Sequence, residues 1–281
     1  MNRLRIKHMT GFHYGGDVTA SYNEARMLPT SSDGQLVLFS NLEILPISSH
    51  HSYVDYWGSR VSSFEILTPH KELSLTATSL VEVRPRTHEA HELTWEQLAV
   101  DVERSTENVE HSKQTRRTAP PEEVVALAAE LRAKHDNPCD AALAICMAIG
   151  EAIEYMSGVT GVQTTAAEAW AVRKGVCQDI THLALGALRS VGIPARYVSG
   201  YLHPKPNAAI GETIAGESHA WVEWHCGEWR GFDPTNNIDI GDRHVIVGRG
   251  RDYNDVPPLR GVYAGPYGST LFVTVEITRE S

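Results

Sequence analysis

The run from Gly175 to Pro194 constrains this chain more than any other stretch. It reads as one helix with a cysteine in its first turn. From Cys177 onward, Ile180, Ala184, Leu188 and Val191 recur at spacings of three and four and form one apolar stripe. Arg189 suits the last turn, Gly192 the left-handed cap, and Pro194 stops continuation. A thiol at a helix start meets unpaired N–H groups and the positive end of the helix dipole, which favour the anionic form that attacks carbonyl carbon. A cysteine that merely fills core space is the competing reading. The chemical reading therefore requires a base and an orienting group elsewhere.

The block Glu217 to Asn237 offers both. Two strands flank a turn at Gly227, and Pro234 stops the second. His219 lies near the start of this hairpin and Asp233 at its end, so that Cys177, His219 and Asp233 are the parts of a cysteine triad: nucleophile, proton shuttle and orienting carboxylate. Side chains alternate along a strand, which puts His219 on one face with Trp221 and Glu223. A two-residue loop, Gly227-Glu228, sets Asp233 opposite Val222 and facing the wrong way. A three-residue connection or one bulge moves it opposite Trp221, diagonal to His219 and within reach of its imidazole. The triad thus requires an odd connection around Gly227.

Residues 1 to 85 read as β: apolar or alternating runs at Leu4 to Met9, Leu36 to Phe39, Leu42 to Ile47, Tyr53 to Trp57, Arg60 to Ile66 and Leu73 to Val83 are separated by Gly, Ser, Asp and Pro turns. Within them, Asn23-Glu24-Ala25-Arg26 and the pair His50-His51 read as solvated loops. Residues 86 to 120 read as a polar linker with a short helix around Trp95 to Val102, and 121 to 281 as the catalytic unit. Pro121 opens a helix with Glu122 and Glu123 in its first turn, and a second helix follows Pro138. Tyr155 to Gln163 is a loop, and Thr164 to Glu168 carries a capping box. The segment Pro204 to Gly216, rich in Gly, Pro and Ala, reads as a mobile loop or a lid.

A formal net charge of −10 argues against a nucleic-acid partner and suits a soluble, cytoplasmic protein. No apolar run is long enough for a membrane span, and no signal peptide is legible after Met1. Cys139, Cys146, Cys177 and Cys226 form no C-x-x-C pair and are expected as thiols, Cys139 and Cys146 as core filler. His225, Cys226 and His244 match no zinc spacing, and Asn236, Asn237, Asp239 and Asp242 lack a calcium-loop pattern, so neither metal nor other cofactor is expected. Asp179 is expected to satisfy N–H groups at the helix start, and His182 to be a hydrogen-bonded structural residue.

Gly175-Val176-Cys177-Gln178-Asp179 with His182-Leu183, Gly192-Ile193-Pro194-Ala195-Arg196-Tyr197, His219-Ala220-Trp221 and Asp233-Pro234-Thr235 resemble the bacterial transglutaminase-like family. Asn23-Glu24-Ala25-Arg26 and Val54-Asp55-Tyr56-Trp57-Gly58 are similar to its N-terminal β domain, and Gly250 to Pro258 to a loop near its active site. The resemblance implies an α+β fold: an N-terminal antiparallel β-sandwich-like domain, then a papain-like core with the Cys177 helix packed on an antiparallel sheet bearing His219 and Asp233. It implies acyl-thioester chemistry on a peptide or protein amide. The Cys177 N–H would be one oxyanion donor, and an indole such as Trp170 or Trp221 is a conceivable second. An acyl-coenzyme-dependent amine acyltransferase shares the Cys-His-Asp plan, and a catalytically silent peptide-binding scaffold is the non-enzyme alternative.

Overall fold

A computed structural model describes residues 1–85 and 93–281. Strands β1 (Asn2–Val18), β2 (Ala20–Ala25), β3 (Gln35–Leu45), β4 (His50–Val54), β5 (Arg60–Ile66) and β6 (His70–Val83) come first. Helices α1 (Trp95–Arg104), α2 (Thr106–Ser112), α3 (Glu122–Ala133) and α4 (Pro138–Ala152) follow. Then come β7 (Glu154–Tyr155), α5 (Ala166–Val172), β8 (Lys174–Gly175) and α6 (Cys177–Ser190). The chain ends in β9 (Ala195–Leu202), β10 (Thr213–Gly216), β11 (Ser218–His225), β12 (Trp229–Asp233), β13 (Ile238–Asp239), β14 (His244–Gly250), a 3₁₀ turn at Tyr253–Asp255, β15 (Leu259–Ala264) and β16 (Ser269–Arg279). The fold is α+β with antiparallel main sheets.

Three sheets carry the architecture, with orders β10-β16-β1-β6-β3, β15-β2-β5-β4 and β13-β12-β11-β9-β14. The long strand β1 explains how they meet. Its even-numbered side chains share one face. Leu4 and Ile6 pack with Tyr201, Val245 and Val247 of the β9-containing sheet, whereas Tyr14 joins Phe64 and Ala25 of the β2-containing sheet. Between these two contacts, His8 and Thr10 reach the cleft beside α6. Farther along, the same face of the β9-containing sheet takes the helices: Ile180, Ala184 and Leu188 of α6 pack with Val222, Trp224 and Tyr197.

Arg189 clamps the end of α6. Its guanidinium donates to the carbonyls of Ala195 (2.7 Å), Arg251 (2.7 Å) and His111 (2.9 Å) and to the Thr118 hydroxyl (3.1 Å). Gly192 takes φ of 85°, the left-handed cap read from the sequence. Gly186 allows the backbone of residue 118 to cross the helix, since a Cβ there would lie 2.0 Å from the Thr118 carbonyl oxygen.

Five expectations change. Residues 121–281 do not close on themselves: β10, β15 and β16 complete the two sheets begun by residues 1–85, because β1 and β2 offer open edges to β16 and β15, and β10 then adds to β16. The expected linker is partly helical and packed, with Leu98 of α1 in the helical core, while residues 86–92 of it lie outside the described residues. Asn23 to Arg26 is mostly strand β2 rather than loop. Asn23 and Arg26 are buried because Asn23 donates to Ser21, and Arg26 pairs with Glu24 and with Asp55 (3.0 Å). The segment expected to be mobile, Pro204 to Gly216, ends in β10, which is paired to β16. His50 and His51 open the exposed strand β4. No helix among the described residues is long and apolar enough to cross a membrane.

Candidate active site

The nucleophile position is built by the turn before α6. Val176 is extended and its N–H donates to Asp179 Oδ2 (2.9 Å), which also accepts the Thr160 hydroxyl (2.7 Å). Asp179 is thus folded back onto the helix start, as expected. Gly175 is needed because a Cβ there would lie 2.7 Å from the same carboxylate oxygen. The result leaves Cys177 at the first helical position, half-buried and free, with first-turn N–H groups that the helix itself does not use.

The hairpin has the odd connection that the triad requires. His225 pairs with Trp229, Trp224 with Arg230 and Val222 with Phe232, so Cys226, Gly227 and Glu228 form a three-residue turn. Continuing that register sets Asp233 across from Trp221, on the face of His219. His219 Nε2 is 2.7 Å from Asp233 Oδ2. The Cys177 thiol is hydrogen-bonded to the same imidazole. All three residues predicted from sequence therefore converge.

Asp233 is fully buried, and its charge is balanced by donors. Oδ1 accepts the N–H groups of Thr235 (3.0 Å) and Asn236 (3.2 Å), and Oδ2 accepts the Asn236 amide (2.7 Å) besides His219. Burial alone would raise this carboxyl, but its hydrogen bonds outweigh that and hold it well below the usual carboxylate range. Burial would lower His219, yet its bonds to Asp233 and Cys177, and their charges, raise it to about 10. The imidazole consequently carries a proton at neutral pH.

His244 adds a second imidazole behind the carboxylate. Its Nδ1 accepts the Gly241 N–H (3.2 Å), so Nε2 holds the proton and faces Asp233 Oδ2 at 3.6 Å, long for a hydrogen bond but close enough for its dipole to favour the anion. Sequence reading considered Asn236 and His244 only as metal ligands. The tight turn after Asp233 was the available signal for Asn236; His244 had none. Of the indoles weighed as oxyanion donors, Trp170 donates to Glu123 (2.7 Å) and lies under Arg173, and Trp221 is sealed between His219 and His244. His182 is structural: fully buried, lowered to about 3 by burial, it accepts the Tyr253 N–H (3.2 Å).

Cys139 and Cys226 correct the thiol expectation. They form a disulfide with Cα atoms 5.8 Å apart, because the three-residue turn carries Cys226 onto the start of α4. Cys226 is therefore no metal ligand. Cys146 is free and buried, as expected of core filler.

Cys177 and His219 open into a cleft of about 360 Å³ whose walls include Tyr155, Glu217, Tyr253 and Leu271. A larger groove of about 710 Å³, bordered by Glu24, His50, His51 and Arg260, lies on the β2-containing sheet and includes none of the triad.

Residues 4–82 match the bacterial transglutaminase-like N-terminal region, and residues 125–234 match the transglutaminase-like superfamily. Uncharacterized protein ML0607 of Mycobacterium leprae (strain TN) is 41% identical over 281 residues, covering 99% of each chain. The chain belongs to the bacterial transglutaminase-like family. The transglutaminase-like match runs from α3 to Pro234 and so contains Cys177, His219 and Asp233. The solved structure of "a Putative Cysteine Protease from Cytophaga hutchinsonii" has the same fold, with a TM-score of 0.78 at 22% identity, covering 100% of this chain and 92% of that one. A protein-glutamine gamma-glutamyltransferase of Pseudomonas aeruginosa is 30% identical over 151 residues, 48% of this transglutaminase-like chain and 22% of that protein.

Proposed function

We propose that this transglutaminase-like protein is a thiol acyl-transfer enzyme acting on amides of peptides or proteins. The observation that carries the reading is the hydrogen-bonded series Asp233–His219–Cys177 at the wall of an open cleft. With the imidazole protonated, the sulfur attacks the amide carbonyl as a thiolate. Charge that develops on the carbonyl oxygen is met by the unused N–H of Cys177 at the start of α6. His219 then passes its proton to the departing amine, leaving a thioester on Cys177. Water or a second amine, deprotonated by His219, attacks the thioester and releases the acid or a new amide. Asp233 holds the imidazole orientation throughout and balances its charge.

The likeness to a protein-glutamine gamma-glutamyltransferase supports a glutamine carboxamide as the first substrate to try. The test is incubation of the protein and Cys177→Ala with glutamine-containing peptides, with and without an added amine, following ammonia and peptide products by mass spectrometry. Ammonia released by the parent protein alone supports the reading, and amide product formed only with amine selects transfer over hydrolysis. Equal turnover by Cys177→Ala contradicts it. A protein that neither turns over any amide nor labels at Cys177 belongs to the silent-scaffold alternative.

A further inference from the structure

Two side chains at the cleft mouth have no part in the triad but are placed by it. Tyr155 pairs with Gly175 in the short β7–β8 ladder, and the Met156 N–H donates to the Gly175 carbonyl (2.9 Å), which fixes Tyr155 beside the start of α6. Glu217 joins β10 to β11, two residues before His219. The Tyr155 hydroxyl donates to Glu217 Oε2 (3.2 Å), so this contact bridges from the nucleophile side of the cleft to the histidine side.

Among the described residues no Lys or Arg lies within ion-pair distance of Glu217, whereas Glu212 and Glu223, its neighbours in sequence, each face one. Among the described residues the cleft walls contain no lysine or arginine either, and Glu217 is their one carboxylate. The same cleft is lined by exposed aliphatic side chains of β16, Leu271 and Val273. A carboxylate oriented by a tyrosine, in a cleft with aliphatic lining, is matched by an ammonium group on an aliphatic stem: the methylenes cover apolar lining and the charged head reaches the carboxylate.

We infer that Glu217 is a specificity residue that binds a primary ammonium group of the substrate. The inference rests on the thiol-enzyme reading above and deepens it. This ammonium is a recognition group and not the attacking nitrogen, which must be neutral. It belongs either to the acyl donor or to a diamine acceptor.

The first arm of the test needs no substrate. Cys177 in the intact protein is reacted with a cationic and an anionic alkyl methanethiosulfonate of similar size, and the ratio of the two rates is compared with that in Glu217→Gln and Glu217→Lys, by intact mass. The cationic preference is expected to fall on the order of five-fold in Glu217→Gln at low ionic strength, to fall further in Glu217→Lys, and to shrink in the parent protein with added salt. A ratio unmoved by either substitution overturns the inference while leaving the triad standing. A Cys177 no more reactive than in the urea-unfolded chain overturns both. In the second arm, 1,5-diaminopentane is compared with pentylamine as acceptor, and glutamine peptides with and without a free amino group as donors. A KM raised about ten-fold in Glu217→Gln for the cationic member of one pair, with kcat retained, supports the inference and identifies which partner bears the ammonium; equal KM changes within both pairs contradict it.

Discussion

At the scale of the residue, the site depends on where one proton sits. His219 holds it because Asp233 is kept anionic by Asn236 and the turn backbone, with His244 behind it. Asp233→Asn is therefore expected to lower amide turnover roughly 10²–10⁴-fold. His244→Phe, which removes only the rear dipole, is expected to cost about ten-fold, with the His219 imidazole titrating lower by NMR in both variants. Stability carries the same signature. His219 is raised to about 10, so its contribution is complete below about pH 6.5 and is lost as pH rises through about 10. The destabilisation caused by His219→Ala in urea is expected to be larger at pH 6 than at pH 10.5. His8, His111 and His182 are lowered by burial to about 4, 3 and 3, so the stability that their neutral forms support is present above about pH 6.5 and is lost as pH falls toward those values. Acid unfolding in that window, flattened by His182→Phe if that variant folds, checks the sign. The triad was legible because its members have chemistry that few other residues share. His244, Tyr155 and Glu217 were not, since only the folded chain brings them to the carboxylate and the cleft.

At the scale of the element, the hairpin turn decides the site. Alternation alone states the condition that Asp233 needs an odd connection, and the three residues Cys226, Gly227 and Glu228 meet it. The disulfide from Cys226 to Cys139 anchors that turn to α4 across 87 residues of sequence. Cys139→Ala with Cys226→Ala, or reduction, is expected to lower unfolding free energy by roughly 2–4 kcal/mol, measured by urea titration. A larger loss of activity than of stability would mark the turn as what aligns Asp233. The pairing was illegible because two cysteines so far apart carry no spacing pattern. Helix ends were the opposite case: the Thr165–Glu168 capping box, Pro138 in the first turn of α4 and Gly192 act through neighbours within a few residues. Strand β2 escaped notice because polar residues in it and just beyond it are buried by partners from distant positions, His70 beside Ser21 and Asp55 beside Arg26.

At the scale of the whole molecule, the chain returns to its beginning. β16 pairs with β1 from Leu4 to Tyr14, and β15 pairs with β2 from Ala20 to Ala25. Alternating patterns identify strands but do not say which sheet receives them, which is why a sequential division at residue 85 misses this closure. A fragment of residues 121–281 is expected to lack fixed tertiary packing, seen as loss of near-ultraviolet dichroism, whereas adding residues 1–120 as a separate chain restores it. Thiol trapping of Cys139 and Cys226 in cells reads the compartment, because such pairs persist mainly where conditions are oxidising. The central claim is that Cys177 carries the acyl group, and the most direct measurement is acid-quenched intact mass spectrometry during turnover of p-nitrophenyl acetate. The account predicts a burst of nitrophenol close to one per chain, an acetyl group mapped to Cys177 and discharged by hydroxylamine, and neither in Cys177→Ala. A burst that survives in Cys177→Ala, or an acetyl group located elsewhere, would contradict it.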